Sequence, residues 1–182
     1  MMNQTPTMEK LPAACRALLL TAALAALAGL GAANTASAMD KPAGKVILTI
    51  SGKVSKPNQG KLAQFDLRML EALPQVSHTV TTPWYPRKVT FRGPLLRDVL
   101  NAAGGSGTRI KAIAINDYAV EIPFSDALQH EVILALRLNG KPMAARDKGP
   151  IFVIYPYDKF APEAVPRFYD RSVWQLDTLQ LD

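Results

Sequence analysis

From Val46 to Leu181 the apolar residues come in short runs, most of them closed by a glycine, a proline or an Asn–Gly pair. This punctuation allows short strands and a few short helices, and no window in it approaches a membrane-spanning length. Residues 46–50 are β-branched and apolar and end at Ser51-Gly52, which predicts a strand. Asp66 is placed to cap a short helix with Leu67, Leu70 and Leu73 on one face, stopped by Pro74. Residues 76–82 and 88–92 read as two strands separated by a Pro83-Trp84-Tyr85-Pro86 corner.

The clearest helix follows Gly93, with Pro94 in its first turn. Leu95, Leu96, Val99 and Leu100 form its apolar stripe, and Gly104 ends it. Strands are expected at residues 110–115, 118–122, 132–138 and 151–155. Asn116-Asp117 turns the first into the second, a Ser125-capped helix precedes the third, and Asn139-Gly140 signals a hairpin after it. Residues 156–169 read as a loop rich in proline and aromatics. Residues 173–181 form a closing strand whose alternation changes phase near Asp177-Thr178, the mark of a bulge. The pattern gives one mixed, strand-rich α+β domain over residues 39–182.

Residues 1–38 read differently. Lys10 and Arg16 precede an uncharged stretch over residues 17–33, and Ala36-Ser37-Ala38 supplies an A-x-A cleavage site. That order is a Sec-type signal peptide, so the expected mature chain starts at Met39 and resides in the periplasm. Leu11-Pro12-Ala13-Ala14-Cys15 precedes the apolar run instead of following it, which argues against a lipid anchor. Lys10, Arg16 and Glu9 leave with the leader, which takes the net charge from +6 to +5. No Lys/Arg run of the kind that tracks a phosphate backbone is present, so nucleic acid is not an expected partner.

Cys15 is the only cysteine, and it too lies in the leader. The mature chain therefore has no disulfide, no cysteine nucleophile, no iron–sulfur cluster and no thiolate-held metal. His78 and His130 are the only histidines, too few for a three-histidine zinc site within one chain. No G-x-S-x-G elbow occurs. The Gly104-Gly105-Ser106-Gly107 run follows a helix and opens a strand, the reverse of a phosphate loop. Asp126 and Glu131 flank a short helix and read as cap and surface charges. No catalytic residue and no metal site is expected.

An ordered series of motifs between Phe91 and Leu181 resembles the sulfite-oxidase fold of the molybdopterin-binding oxidoreductase domain. Phe91-Arg92-Gly93-Pro94-Leu95-Leu96-Arg97-Asp98-Val99-Leu100 is similar to that fold's helix entry. Asn116-Asp117-Tyr118-Ala119-Val120-Glu121-Ile122-Pro123 is similar to its D-G-Y…I-P hairpin. Leu138-Asn139-Gly140 resembles its N-G turn, and Lys148-Gly149-Pro150 followed by Ile154-Tyr155-Pro156 its G-x-P segment, without the usual arginine. The wording of residues 149–158 and 171–176 resembles a small exported branch of the family. The resemblance implies either a molybdopterin-dependent oxidoreductase or a periplasmic pterin-binding protein. The latter signals to a membrane-bound partner, a cyclic-di-GMP enzyme or a sensor kinase. Catalytic members hold molybdenum through a cysteine just before the helix entry, where this chain has Thr79-Val80-Thr81-Thr82-Pro83-Trp84. Their leaders also carry twin arginines, and this one has an isolated Arg16. A bound molybdenum cofactor is therefore not expected, and a pterin is.

A pterin offers a flat face for an aromatic ring and a pyrimidinone edge whose adjacent N–H donors suit one carboxylate. Trp84, Tyr118, Tyr155, Tyr157 and Trp174 are candidates for stacking, and Asp117 or Asp158 for the edge. Tyr155 and Trp174 also fit as core strand residues, and Asp117 as a turn former. Arg87, Lys88, Arg92, Arg97, Arg146 and Lys148 could receive an anionic tail or form a solvated basic face.

Overall fold

β1 (Val46–Gly52) and β11 (Leu176–Leu181) run parallel, with Thr49 opposite Thr178 and Gly52 opposite Leu181. They lie inside a five-stranded sheet of order β2-β1-β11-β5-β6, completed by β2 (Ala63–Asp66), β5 (Arg109–Ala114) and β6 (Ala119–Pro123). The other pairings in this sheet are antiparallel. The computed structural model describes residues 39–182, so the expected leader lies outside the described residues.

A second sheet has the order β3-β4-β8-β9, from β3 (Gln75–Thr82), β4 (Tyr85–Pro94), β8 (Arg137–Leu138) and β9 (Lys141–Pro142). Beside it β7 (Ile133–Ala135) pairs with β10 (Phe152–Ile154), and a Leu95–Ile133 bridge joins them to the end of β4. Alternation sets the inward face of β3: His78, Val80 and Thr82 are buried, while Ser77, Thr79 and Thr81 are exposed. Leu48, Ile50, Phe91, Leu96, Ile110 and Phe152 are fully buried in the shared core.

The helices are short. α1 (Leu67–Ala72) is capped by Asp66, which accepts from the Met69 N–H at 2.8 Å as the sequence indicates. Its buried residue is Leu70, however, and Leu67 is 42% exposed. α2 (Leu96–Ala103) buries Leu96, Val99 and Leu100 and ends on left-handed Gly104. It starts two residues later than expected, because Pro94 closes β4 and extended Leu95 is committed to the Ile133 bridge. α3 (Phe124–Gln129) has Ser125 inside its first turn and takes no side-chain cap. α4 (Val165–Asp170) falls in the expected loop; Pro166 sits in its first turn, where a missing N–H is harmless.

Two further differences have steric causes. The strand expected over residues 132–138 is split between β7 and β8, which belong to different pairings. Gly93 lets the backbone at Leu134 cross β4 closely: a Cβ at that position would lie 1.9 Å from the Leu134 carbonyl oxygen. The proline corner is a tight Pro83–Trp84 turn, and β4 begins at Tyr85. The ladder is interrupted between the Thr82–Tyr85 and Val80–Val89 pairs, and Pro86 falls in that gap. The Asn139-Gly140 hairpin, with φ of 49° and 79°, and the bulge between Leu176 and Thr178 follow the sequence reading.

Candidate functional site

Three chain segments bring aromatic side chains to one end of the molecule. The β3–β4 turn carries Trp84, the β5–β6 turn carries Tyr118, and the end of α4 with the stretch leaving it carries Tyr169 and Trp174. Asp117 holds a left-handed φ of 65° in the second turn, its N–H donating to the Ala114 carbonyl at 3.0 Å. The Ile115 N–H donates to the Gln175 carbonyl at 3.0 Å, tying this hairpin to the residue after Trp174. Together they enclose a cleft of about 420 Å³ lined by Trp84, Tyr118, Tyr169, Trp174, Asn116 and Asp170, with Pro83 and Ser172 completing it.

Trp84 is the centre of the aromatic group. Its ring centroid lies 5.0 Å from Phe152, 5.4 Å from Tyr169, 6.2 Å from Tyr157 and 6.3 Å from Trp174. Trp174 is 39% exposed, with the Lys148 ammonium 4.5 Å over its ring. Core placement therefore holds for Tyr155, which is fully buried, and not for Trp174. Tyr118, also in the lining, is 56% exposed.

The wall leaving α4 is anchored from behind. Ser172 Oγ donates to the Phe168 carbonyl and receives the Tyr157 hydroxyl, both at 2.6 Å. Arg171 turns the other way and donates to Asp126 Oδ2 at 2.8 Å, and the Tyr155 hydroxyl donates to the same oxygen at 2.9 Å. Asp126 is thus buried at the hub of a tertiary network and is not the surface charge that its sequence position suggests. Burial, reinforced by Asp126, pushes the Tyr155 hydroxyl far above the ordinary phenol range; burial also raises Tyr157.

The remaining candidates do not converge on the cleft. Tyr157 is buried beneath Trp84 with its hydroxyl used by Ser172, so it has no ring face to offer a ligand. Asp117 occupies the hairpin turn, and its neighbours Asn116 and Tyr118, not it, line the cleft. Asp158 lies beside β3, where it accepts from Lys88 Nζ at 2.7 Å and from the Thr81 N–H at 3.3 Å. The Lys88 contact holds its carboxyl below the usual range. Arg87 is exposed on β4, and Arg146 lines a separate cavity of about 640 Å³ with Lys141, Asp147 and Lys148. Sequence reasoning passed over Tyr169 and Asp170; the density of aromatics before Arg171-Ser172 was the available signal.

The donor chemistry separates the two halves of a molybdopterin cofactor. Aromatic walls with polar side chains at the margin suit the flat pterin. Molybdenum ligation through a protein thiolate does not fit, since residues 79–84 present threonine hydroxyls and residues 39–182 contain no cysteine. The Thr82 hydroxyl is buried and has no hydrogen-bond partner among the described residues. Among those residues, no three His, Cys, Asp or Glu side chains gather as a metal site would require.

No curated protein matches this sequence. Among solved structures, 28 chains match. One is the crystal structure of the sulfane dehydrogenase SoxCD from Paracoccus pantotrophus, 16% identical with a TM-score of 0.52. The match covers 73% of this chain and 37% of that one, so this chain spans well under half of the relative's length. At that identity the likeness concerns the fold. Residues 37–158 match the family described as the oxidoreductase molybdopterin binding domain. With the ordered motifs, the strand-rich architecture and this match in agreement, the chain belongs to the oxidoreductase molybdopterin-binding domain family and has its sulfite-oxidase-like fold.

Proposed function

We propose that this chain is an exported pterin-binding protein that does not carry out molybdenum catalysis. In this reading residues 1–38 direct it to the periplasm and are removed after Ala38. Occupancy of the cleft is passed to the periplasmic part of a membrane-bound partner, a cyclic-di-GMP enzyme or a sensor kinase. The observation that carries the reading is the pairing of an aromatic cleft of about 420 Å³ with a neighbouring 79–84 stretch that has no thiolate. Trp84, Tyr118, Tyr169 and Trp174 supply ring faces, while Asn116 and Asp170 supply polar atoms at its margin. Loss of the soft ligand removes the metal anchor and leaves the features that suit the organic part of the cofactor.

The alternative is an oxidoreductase that holds a molybdopterin cofactor without cysteine ligation. One experiment separates the two. Protein expressed from the full-length sequence is recovered from the periplasm and its N-terminus read. The small molecules released on denaturation are identified by mass spectrometry, with elemental analysis of the same sample. The proposal expects a chain starting at Met39, a released pterin and no stoichiometric molybdenum. About one molybdenum per chain would establish the alternative, and a cytosolic uncleaved chain as the main form would refute the exported role.

A further inference from the structure

Asp170 is the one carboxylate among the residues that line the aromatic cleft. It is exposed, at the last position of α4. No ion pair or side-chain hydrogen bond engages it among the described residues. Arg171, the adjacent cation, is turned away to the buried Asp126. Asp158, by contrast, is held by Lys88, and Asp117 stands outside the lining. Asp170 is therefore a carboxylate with no structural partner that shares the cleft lining with Tyr169 and Trp174.

Resting on the pterin-binding reading above, we infer that Asp170 is the specificity-determining residue of the cleft. Its two oxygens accept the adjacent ring N–H and exocyclic amine of a 2-amino-4-oxopyrimidine edge while the aromatic walls hold the ring plane. A paired acceptor of this kind discriminates by chemistry. A pterin presents two donors side by side, whereas lumazine, with a carbonyl in place of the amine, presents a donor and an acceptor. Its carbonyl would face the second carboxylate oxygen. Guanine carries the same edge as a pterin on a smaller ring system, so the edge alone does not name the source.

The test is calorimetric titration of protein expressed from the full-length sequence with pterin, lumazine and guanine. The parent is compared with Asp170→Asn and Asp117→Asn, and a thermal melt of each variant serves as a check on folding. The parent should prefer pterin over lumazine by about ten- to a hundredfold, the range of one lost charged hydrogen-bond pair. Asp170→Asn, which offers one donor and one acceptor, should reduce that ratio to about threefold or less, and Asp117→Asn should leave it unchanged. An unchanged ratio in a folded Asp170→Asn protein that still binds pterin overturns the role of Asp170 and leaves the pterin reading standing. A parent that binds no pterin, or binds guanine more tightly, overturns the pterin reading itself.

Discussion

The two tryptophans should respond to truncation very differently. Trp84 is half-buried within reach of four other rings, the nearest 5.0 Å away. Trp84→Ala would leave a hole between Phe152, Tyr157 and Tyr169, which are fixed by β10, the Ser172 hydrogen bond and α4 and so cannot collapse into it. Truncation of a large aromatic side chain in such a setting costs about 3–5 kcal/mol, and we expect the lower half of that range because one edge of the indole is wet. Trp174 is 39% exposed, has ring neighbours only at 6.2 and 6.3 Å, and carries Lys148 above it. Its truncation removes an exposed cation–π contact of about 0.5–1 kcal/mol and part of an apolar face, or about 1–2 kcal/mol in all. Urea unfolding followed by far-ultraviolet circular dichroism measures both without depending on indole emission. A cost for Trp174→Ala equal to or larger than that for Trp84→Ala would refute the assignment of Trp84 as the structural ring and Trp174 as the accessible one.

Asp126→Ala should cost about 3–5 kcal/mol in the same assay, since it strands the buried Tyr155 hydroxyl and the Arg171 guanidinium together. Tyr155→Phe leaves the ion pair intact and should cost only about 1–2 kcal/mol. On the acid side, the Met69, Gly44 and Ala43 N–H groups hold Asp66 below the ordinary aspartate value of about 3.9. Its contribution is therefore complete above the unfolded value and declines as pH falls toward the depressed folded value. The urea midpoint of Asp66→Asn should vary less with pH below about 4 than that of the parent; equal acid limbs would show that these hydrogen bonds do not stabilise the ionised form.

Local signals were readable from the sequence. Asp66 caps the helix that follows it, Asn139-Gly140 makes its hairpin, Gly104 ends α2, and the phase change near Asp177 is a bulge. Each depends on residues within a few positions of one another. What escaped was set by partners far along the chain. Asp126 receives groups 29 and 45 residues away, and Asp158 a lysine 70 residues away, so neither charge could be placed from its neighbours. The division of residues 132–138 depends on Gly93, whose missing side chain matters only once two backbones cross. The aromatics of the cleft were visible as residue types. The carboxylate that lines the cleft with them was not, because the loop expected over residues 156–169 stops just short of Asp170 and hides the helix α4 that brings it there.

The parallel pairing of β1 with β11 has a consequence for folding. β11 separates β1 from β5, so the five-stranded sheet has its middle filled by residues 176–181. Until these are available, β2-β1 and β5-β6 are two separate hairpins, each too small to be stable alone. Closing the sheet joins positions such as Thr49 and Thr178, a long-range loop whose closure entropy slows folding. Residues 176–181 are thus the keystone of this sheet: a chain that lacks them has two hairpins with no strand to join them.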